Sequence, residues 1–393
     1  FSGLTGMVAA LIAAELGRRR HAVREVRRSA RMALWLALAC SLPGMAVCWF
    51  GEEIMLLAGQ DAQVAERAGG FLRVIMWAIV PMIFANVLRS VISALGRPIF
   101  ATAITGLAVG VAALANYAFV FGRLGAPALG LEGSALASVV TALFMLAAYV
   151  VAICTDRRLR RYHLFGNWWR TEWPRFFELL RTGLPVAATI LAEAGLFSSA
   201  AFLMGLLGPS QLAGHTIALQ VAALGFQVPF GIGQAATIRV GYHYGARDSV
   251  ALGRAGWVAI GLGTGFMAVT ASIMLFLPKL VLGIYVDTAA PANAAMVGYA
   301  VRFMVVAAAF QVFDGLQAVA AGALRGLRDT QVPMVFALLG YWVPGLGTAV
   351  FLGFFTPLQG VGVWLGLAVG LIVVALLMIQ RWARRVRLGL LPV

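Results

Sequence analysis

Charge is scarce in this chain. Only 11% of its 393 residues are Asp, Glu, Lys or Arg and 62% are apolar, against roughly 25% and 45–50% in an ordinary soluble domain. A water-facing surface cannot be built from that material, so lipid must be the solvent for most of it. Lysine is almost absent: 29 of the 30 basic residues are arginine, and the single lysine, Lys279, stands in the run FLPKL. A P-loop needs G-x-x-x-x-G-K-[S/T], in which backbone N–H groups and the lysine cradle phosphate, so ATP is not held in that way. Neither the H-E-x-x-H pattern of a metalloprotease nor the paired aspartates of prenyl or glycosyl transferases occur. Cysteine is limited to Cys40, Cys48 and Cys154, all in apolar runs. The first two are about 12 Å apart along one predicted helix, so no disulfide framework is implied. The net charge of +15 is clustered between apolar runs rather than spread along a polar helix, which excludes a nucleic-acid partner.

What the chain does have is length in its apolar runs. Crossing about 30 Å of hydrocarbon takes about 20 residues, and such runs fall at about 32–51, 72–93, 99–121, 133–154, 183–206, 213–238, 255–281, 296–323, 333–355 and 361–380. These ten spans predict an all-α integral membrane protein. Residues 1–16, FSGLTGMVAALIAAEL, read as one more apolar helix, too short to span and opening on Phe. No basic segment precedes them and no small-residue cleavage site follows, so they are not a signal peptide. They read as the end of a helix already begun.

Every second connection is basic. The stretches holding Arg18 to Arg31, Arg89 and Arg97, Arg157 to Arg181, Arg239 to Arg254, Arg325 and Arg328, and Arg381 to Arg387 carry 25 of the 30 basic residues. Glu52, Glu53, Asp61, Glu66, Glu132 and Asp287 fall in the intervening set. The arginine-rich side, with the C-terminus, is therefore predicted to be cytoplasmic. Just before the 183–206 run, Trp168, Trp169, Trp173, Phe176 and Phe177 accompany Arg170, Arg175 and Arg181, the composition of an interfacial helix serving as an anchor or a gate.

The chain repeats itself. Leu16-Gly17-Arg18-Arg19 resembles Tyr244-Gly245-Ala246-Arg247, Ser93 to Arg97 resembles Arg325 to Asp329, and Gly133 falls near Gly362, at offsets of 228 to 232. A period of six spans is even, so the two halves enter the membrane in the same direction, related by an axis along its normal. The expected organisation is two six-helix bundles in parallel repeat: 1–154 as an N-terminal bundle lacking the first helix and part of the second, 155–182 as a cytoplasmic connection with the interfacial helix, and 183–393 as a C-terminal bundle.

Two carboxylates, Glu193 and Asp314, lie deep in apolar runs. Each is predicted about 15 Å from the arginine-rich boundary, where burying a charge costs at least about 2.5–3.5 kcal/mol, with no Arg or Lys at similar depth as a partner. Such residues are either structural acids bonded to polar neighbours or a mid-membrane cation site. Gln311, Asp314 and Gln317 recur every three residues and Gln220, Gln227 and Gln234 every seven, so each set holds one helical face, and the two faces are expected to look at one another. The glutamines serve interhelical hydrogen bonds or line a substrate path. Asn116 and Asn86 are candidates for the same role in the first half. His215 reads as a satisfied residue near a helix start or a proton relay, and Pro185, Pro229 and Pro344 as kinks or hinges.

Residues 212–248, LAGHTIALQVAALGFQVPFGIGQAATIRVGYHYGARD, resemble the eighth-helix signature of multidrug and toxic compound extrusion (MATE) transporters in their NorM-like branch. Residues 114–138, 318–334 and 341–367 resemble three more blocks, with Thr216 where Gln is usual and Gly347 where Pro is frequent. The resemblance spans the chain. It implies a twelve-helix, V-shaped antiporter of the inner membrane, not an enzyme, that exchanges Na⁺ or H⁺ for cationic amphipathic drugs and metabolites. It implies further that the protein works as a monomer in the lipid bilayer, needing no cofactor besides its coupling ion. Glu193 and Asp314 fall on the family's second-lobe acidic positions, which implies cation coupling there, by Na⁺ or a proton; from their polarity and spacing, Gln220, Gln227, Gln311, Gln317, Asn116 and Asn86 are the candidate substrate-lining residues. The other readings are a lipid-linked oligosaccharide flippase of similar architecture and, from other classes, a membrane enzyme or a channel.

Overall fold

A computed structural model describes residues 1–20 and 22–393, and among the described residues it is built of helices and turns without strands. In chain order the helices are α1 (Ser2–Arg18), α2 (Val23–Trp49), α3 (Gly51–Leu57), α4 (Ala62–Ala94), α5 (Pro98–Phe121), α6 (Leu131–Thr155), α7 (Arg157–Arg160) and α8 (Trp173–Leu207). They continue as α9 (Pro209–Gly245), α10 (Ser249–Phe276), α11 (Pro278–Leu282), α12 (Ala294–Gly326), α13 (Gln331–Gly340), α14 (Leu346–Phe354) and α15 (Gly360–Ala383). Among the described residues, ten segments are long and apolar enough to cross a membrane: α2, α4, α5, α6, α8, α9, α10, α12 with the turn before it, α13 joined to α14, and α15. Each matches one of the ten apolar runs. In hydrocarbon every backbone N–H and C=O must find its partner within the chain, and a helix satisfies nearly all of them within one segment.

Local signals set the ends. Pro98, Pro209 and Pro278 open α5, α9 and α11, where a missing N–H costs nothing. Asp61 and Asp248 cap α4 and α10 by accepting backbone N–H groups at 3.1 and 3.0 Å. Gly122 closes α5 at φ 66°, a left-handed geometry that glycine adopts without steric penalty.

The helices run further into the arginine-rich side than the apolar runs suggest. α2 begins at Val23 because its charged turns are held: Arg28 pairs with Glu25 at 3.0 Å and donates to Glu172, and Arg31 reaches Glu172 at 3.2 Å. The interfacial helix expected ahead of residue 183 is not a separate element. Trp173, Phe176 and Phe177 form a ring cluster on the first turns of α8, which continues unbroken to Leu207. Arg175 ties that foot to Glu25 at 3.2 Å and Glu15 at 3.6 Å, and Trp35 donates to the carbonyl of Trp168 at 3.0 Å. The connection is thereby sewn onto α1 and α2.

Contacts divide the chain into two compact units, residues 1–184 and 185–393. In the first, α4 packs on α2 and α6, and α6 on α5. α5 is its most exposed span, with 17% of its apolar window buried, whereas α15 in the second unit has 61% buried and runs through the core. α9 and α12 meet there over small residues: the Thr237 hydroxyl donates to the carbonyl of Gly322 at 2.8 Å, and a Cβ on Gly322 would meet the Gly233 oxygen at 2.3 Å. The helix predicted over 333–355 is interrupted by a π turn, Tyr341–Gly345, containing Pro344. Proline lacks the N–H and its ring crowds the carbonyl four residues back, here Gly340, so the turn widens.

One ion pair at the rim carries a pH signature. Arg97 donates to Asp156 at 2.5 Å, and Asp156 also accepts the Arg158 and Leu159 N–H groups, both at 3.2 Å. The Arg97 hydrogen bond is the main cause holding this carboxyl below its ordinary 3.8. An acid whose folded-state pKa is lowered stabilises the fold above its unfolded value and loses that contribution as pH falls through the folded one. Asp156→Asn is expected to lower the thermal midpoint slightly at pH 7, because the pair borders solvent. It should converge with wild type well below pH 3.8; a difference that persists in acid would contradict this origin.

Candidate functional site

The second unit brings its two deep carboxylates into one cluster. Glu193 stands 20 residues into α8 and Asp314 stands 12 residues before the end of α12, both well inside membrane-crossing segments. Asp314 is 5% exposed and Glu193 is half-buried, and the two lie within electrostatic reach of each other. Tyr341, the fully buried first residue of the π turn, lies within electrostatic reach of both of them and of Arg325. α8 closes on that turn at Gly195, where a Cβ would meet the Trp342 ring at 2.7 Å.

Arg325 adds a cation to the surroundings of Glu193. It is the penultimate residue of α12, yet it interacts with Glu193. Helical side chains lean toward the N-terminus, and for α12 that direction leads from the arginine-rich boundary toward Asp314. No ion pair within 4 Å joins Arg325 to either acid among the described residues. The guanidinium therefore acts on Glu193 through space rather than by contact.

Gln311 and Gln317 flank Asp314 on the same helix and are 0% and 3% exposed. Both amide atoms of Gln311, Oε1 of Gln317, Oδ1 of Asp314 and the Tyr341 hydroxyl have no hydrogen-bond partner among the described residues. Buried polar atoms are costly when unpaired, so this concentration on one helix face and the adjoining turn distinguishes a site from ordinary core. Its oxygens belong to carboxylates, amides and a phenol, the hard donors that suit Na⁺ or a proton.

The other candidates fall elsewhere. Gln220 and Gln227 are exposed and Gln234 half-buried, so the two glutamine faces do not look at one another as expected. α9 turns Gly225, Pro229, Gly233 and Thr237 inward instead; small residues admit close approach to α12 where glutamines would hold the backbones apart. Gln311 meets that ridge at Gly225, whose Cβ would lie 2.4 Å from its amide nitrogen. In the first unit, Asn116 donates to the Ala112 carbonyl at 2.8 Å and Asn86 accepts from Arg89 at 2.5 Å, both local bonds. His215 is 1% exposed, edge-on to Trp364 at 5.4 Å, and neither ring nitrogen has a hydrogen-bond partner among the described residues.

The MatE profile matches residues 1–118 and 185–351. The chain belongs to the MatE family. A probable multidrug resistance protein NorM of Mesorhizobium japonicum is 48% identical over 387 residues, covering 98% of this chain and 83% of that protein. A protein of the same description from Brucella suis is 44% identical over 382 residues, covering 97% and 81%. An outward-facing multidrug resistance MATE family transporter of the MOP superfamily superposes with a TM-score of 0.86 at 20% identity, covering all of this chain and 85% of that one. A eukaryotic MATE transporter gives 0.84 at 20% identity, covering 99% and 86%. These likenesses establish the MATE fold, and with the family they make this a multi-pass membrane transporter.

Sequence reasoning missed two members of this MATE chain's cluster, Tyr341 and Arg325. Tyr341 opens the YWVPGLG block three residues before Pro344, a spacing that would have put it in any local widening of the helix. Gln211 was missed too: it is 5% exposed, donates to Gln359 at 3.0 Å and accepts the Gly360 N–H at 3.0 Å, securing the start of α15.

Proposed function

We propose that this MATE transporter exports cationic amphipathic small molecules across the cytoplasmic membrane in exchange for Na⁺ or H⁺, with Glu193 and Asp314 as one shared cation site. The observation that carries the reading is a pair of deep carboxylates within each other's field, beside buried oxygens without partners. Relatives named as multidrug resistance proteins support the substrate class. Two ligands coupled in exchange must weaken each other's binding by the same factor. A carboxylate pair meets that condition if the cation neutralises it in one conformation and is displaced in the next. Gln311 and Gln317 serve the cation, and Gln220 and Gln227 on the exposed face of α9 contact substrate; Asn86 and Asn116 are the lining residues proposed for the first bundle. The test is efflux of a fluorescent organic cation from proteoliposomes under separate Na⁺ and pH gradients. Either gradient should drive efflux several-fold above the ungated leak; equal rates with and without both gradients would reject the antiport.

Residues 1–154 and 183–393 are proposed to be the two bundles of a parallel repeat, with 155–182 and the C-terminus in the cytoplasm. The partition of basic residues, 25 of 30 on alternate connections, supports this orientation. In a background without the three native cysteines, single cysteines at 157–170 should react with an impermeant maleimide only from the cytoplasmic side and those at 58–62 only from outside. Reversed labelling would overturn the orientation.

A further inference from the structure

A groove of about 490 Å³ runs between α9 and α10, apart from the carboxylate cluster. Its walls are apolar along Ile232, Val258 and Leu262, while Arg239, His243 and Arg254 lie at the end nearest the connection between the helices. The stripe from Arg254 to Leu262 covers nine residues, about 12 Å of helix from first to last against the roughly 15 Å of hydrocarbon in one leaflet. Val258 and Leu262 are 55% and 61% exposed. Arg239 and Arg254 are exposed and make no hydrogen bond or ion pair among the described residues. The neighbouring acid, Asp248, is engaged as the cap of α10 through the Ala251 N–H.

We propose that this groove binds one anionic phospholipid, its phosphate between Arg239 and Arg254 and an acyl chain along the apolar walls. Charge decides the occupant: the two guanidiniums repel the organic cations of the transport path and attract a phosphodiester, which arginine engages with a fork of N–H donors, and the His243 ring adds a further polar group. Basic pockets between helices at the headgroup level fit anionic lipid in this way. The apolar length excludes inorganic phosphate as the complete ligand, because that surface needs hydrocarbon to cover it.

The purified protein is mixed with phosphatidylglycerol and phosphatidylcholine of identical acyl chains at equal mole fraction, and retained lipids are counted by native mass spectrometry. Wild type should retain one tightly held phosphatidylglycerol with a preference of about thirtyfold over phosphatidylcholine, from two arginines near a headgroup. Arg239→Gln combined with Arg254→Gln should lose that one lipid's preference. Ala235→Trp, at an exposed position lining the groove, should lose the lipid with both arginines intact. Equal retention of the two lipids by wild type, an undiminished preference in the double variant, full retention in Ala235→Trp, or displacement of the lipid by millimolar inorganic phosphate would each overturn the proposal.

Discussion

Asp314→Asn is expected to abolish ion-driven efflux while leaving the protein folded and at least as stable. The side chain is 5% exposed on a helix 12 residues from its nearer end, where an ionised acid costs at least about 2.5–3.5 kcal/mol. The amide keeps shape and one acceptor and removes the charge, so the thermal midpoint should stay or rise. Efflux should fall to the leak of empty vesicles, because a neutral amide offers the coupling ion no charge to exchange. Glu193→Gln should lose coupling equally and differ in stability. Arg325 has Glu193 as an opposite charge within reach, and removing that charge leaves the guanidinium in the bundle uncompensated, which lowers the midpoint. Transport assays with thermal unfolding on both variants separate the roles: retained ion-driven efflux in both would make the acids structural, and equal midpoints would remove Arg325 from the cluster.

Gly322→Val is expected to prevent assembly of the second unit. A Cβ at this position would lie 2.3 Å from the Gly233 carbonyl oxygen, 2.8 Å from its carbon and 2.8 Å from its Cα. These are backbone atoms of a long helix and cannot turn aside as a side-chain tip would. Relief requires α9 and α12 to separate, which breaks the Thr237 hydrogen bond to Gly322 and opens the ridge that Gln311 seats against. A loss of about 3 kcal/mol or more follows from overpacking together with a lost buried hydrogen bond, enough to remove most folded protein from a detergent extract. Gly106→Val on exposed α5 meets nothing within 4 Å and should extract like wild type. Equal yields for the two variants would contradict the close approach.

The spans were legible because length and apolarity answer directly to the thickness of hydrocarbon, and Glu193 and Asp314 because a carboxylate in such a run is conspicuous. The helix ends were not legible. The first turns of α2 and α8 are full of charge, and they remain helical through ion pairs between residues such as Arg28 and Glu172, 144 positions apart. The inward face of α9 was misread for a related reason. Periodicity reports that Gln220, Gln227 and Gln234 share a face, whereas the ridge that decides contact consists of glycines and Thr237, which carry little hydropathy signal. Arg325 was assigned to the boundary by its place in the sequence, and its interaction with Glu193, 132 positions away, leaves no local signal.

The central claim is that Glu193 and Asp314 form one cation site linked to substrate. Equilibrium binding of a radiolabelled organic cation to purified protein, at a series of Na⁺ concentrations and pH values, measures that link directly. In wild type, raising Na⁺ or lowering pH should weaken substrate binding, and added substrate should weaken ion binding by the same factor. In Asp314→Asn and Glu193→Gln both dependences should vanish. Substrate affinity in wild type that is indifferent to Na⁺ and to pH, or an ion dependence that survives unchanged in both variants, would contradict the account.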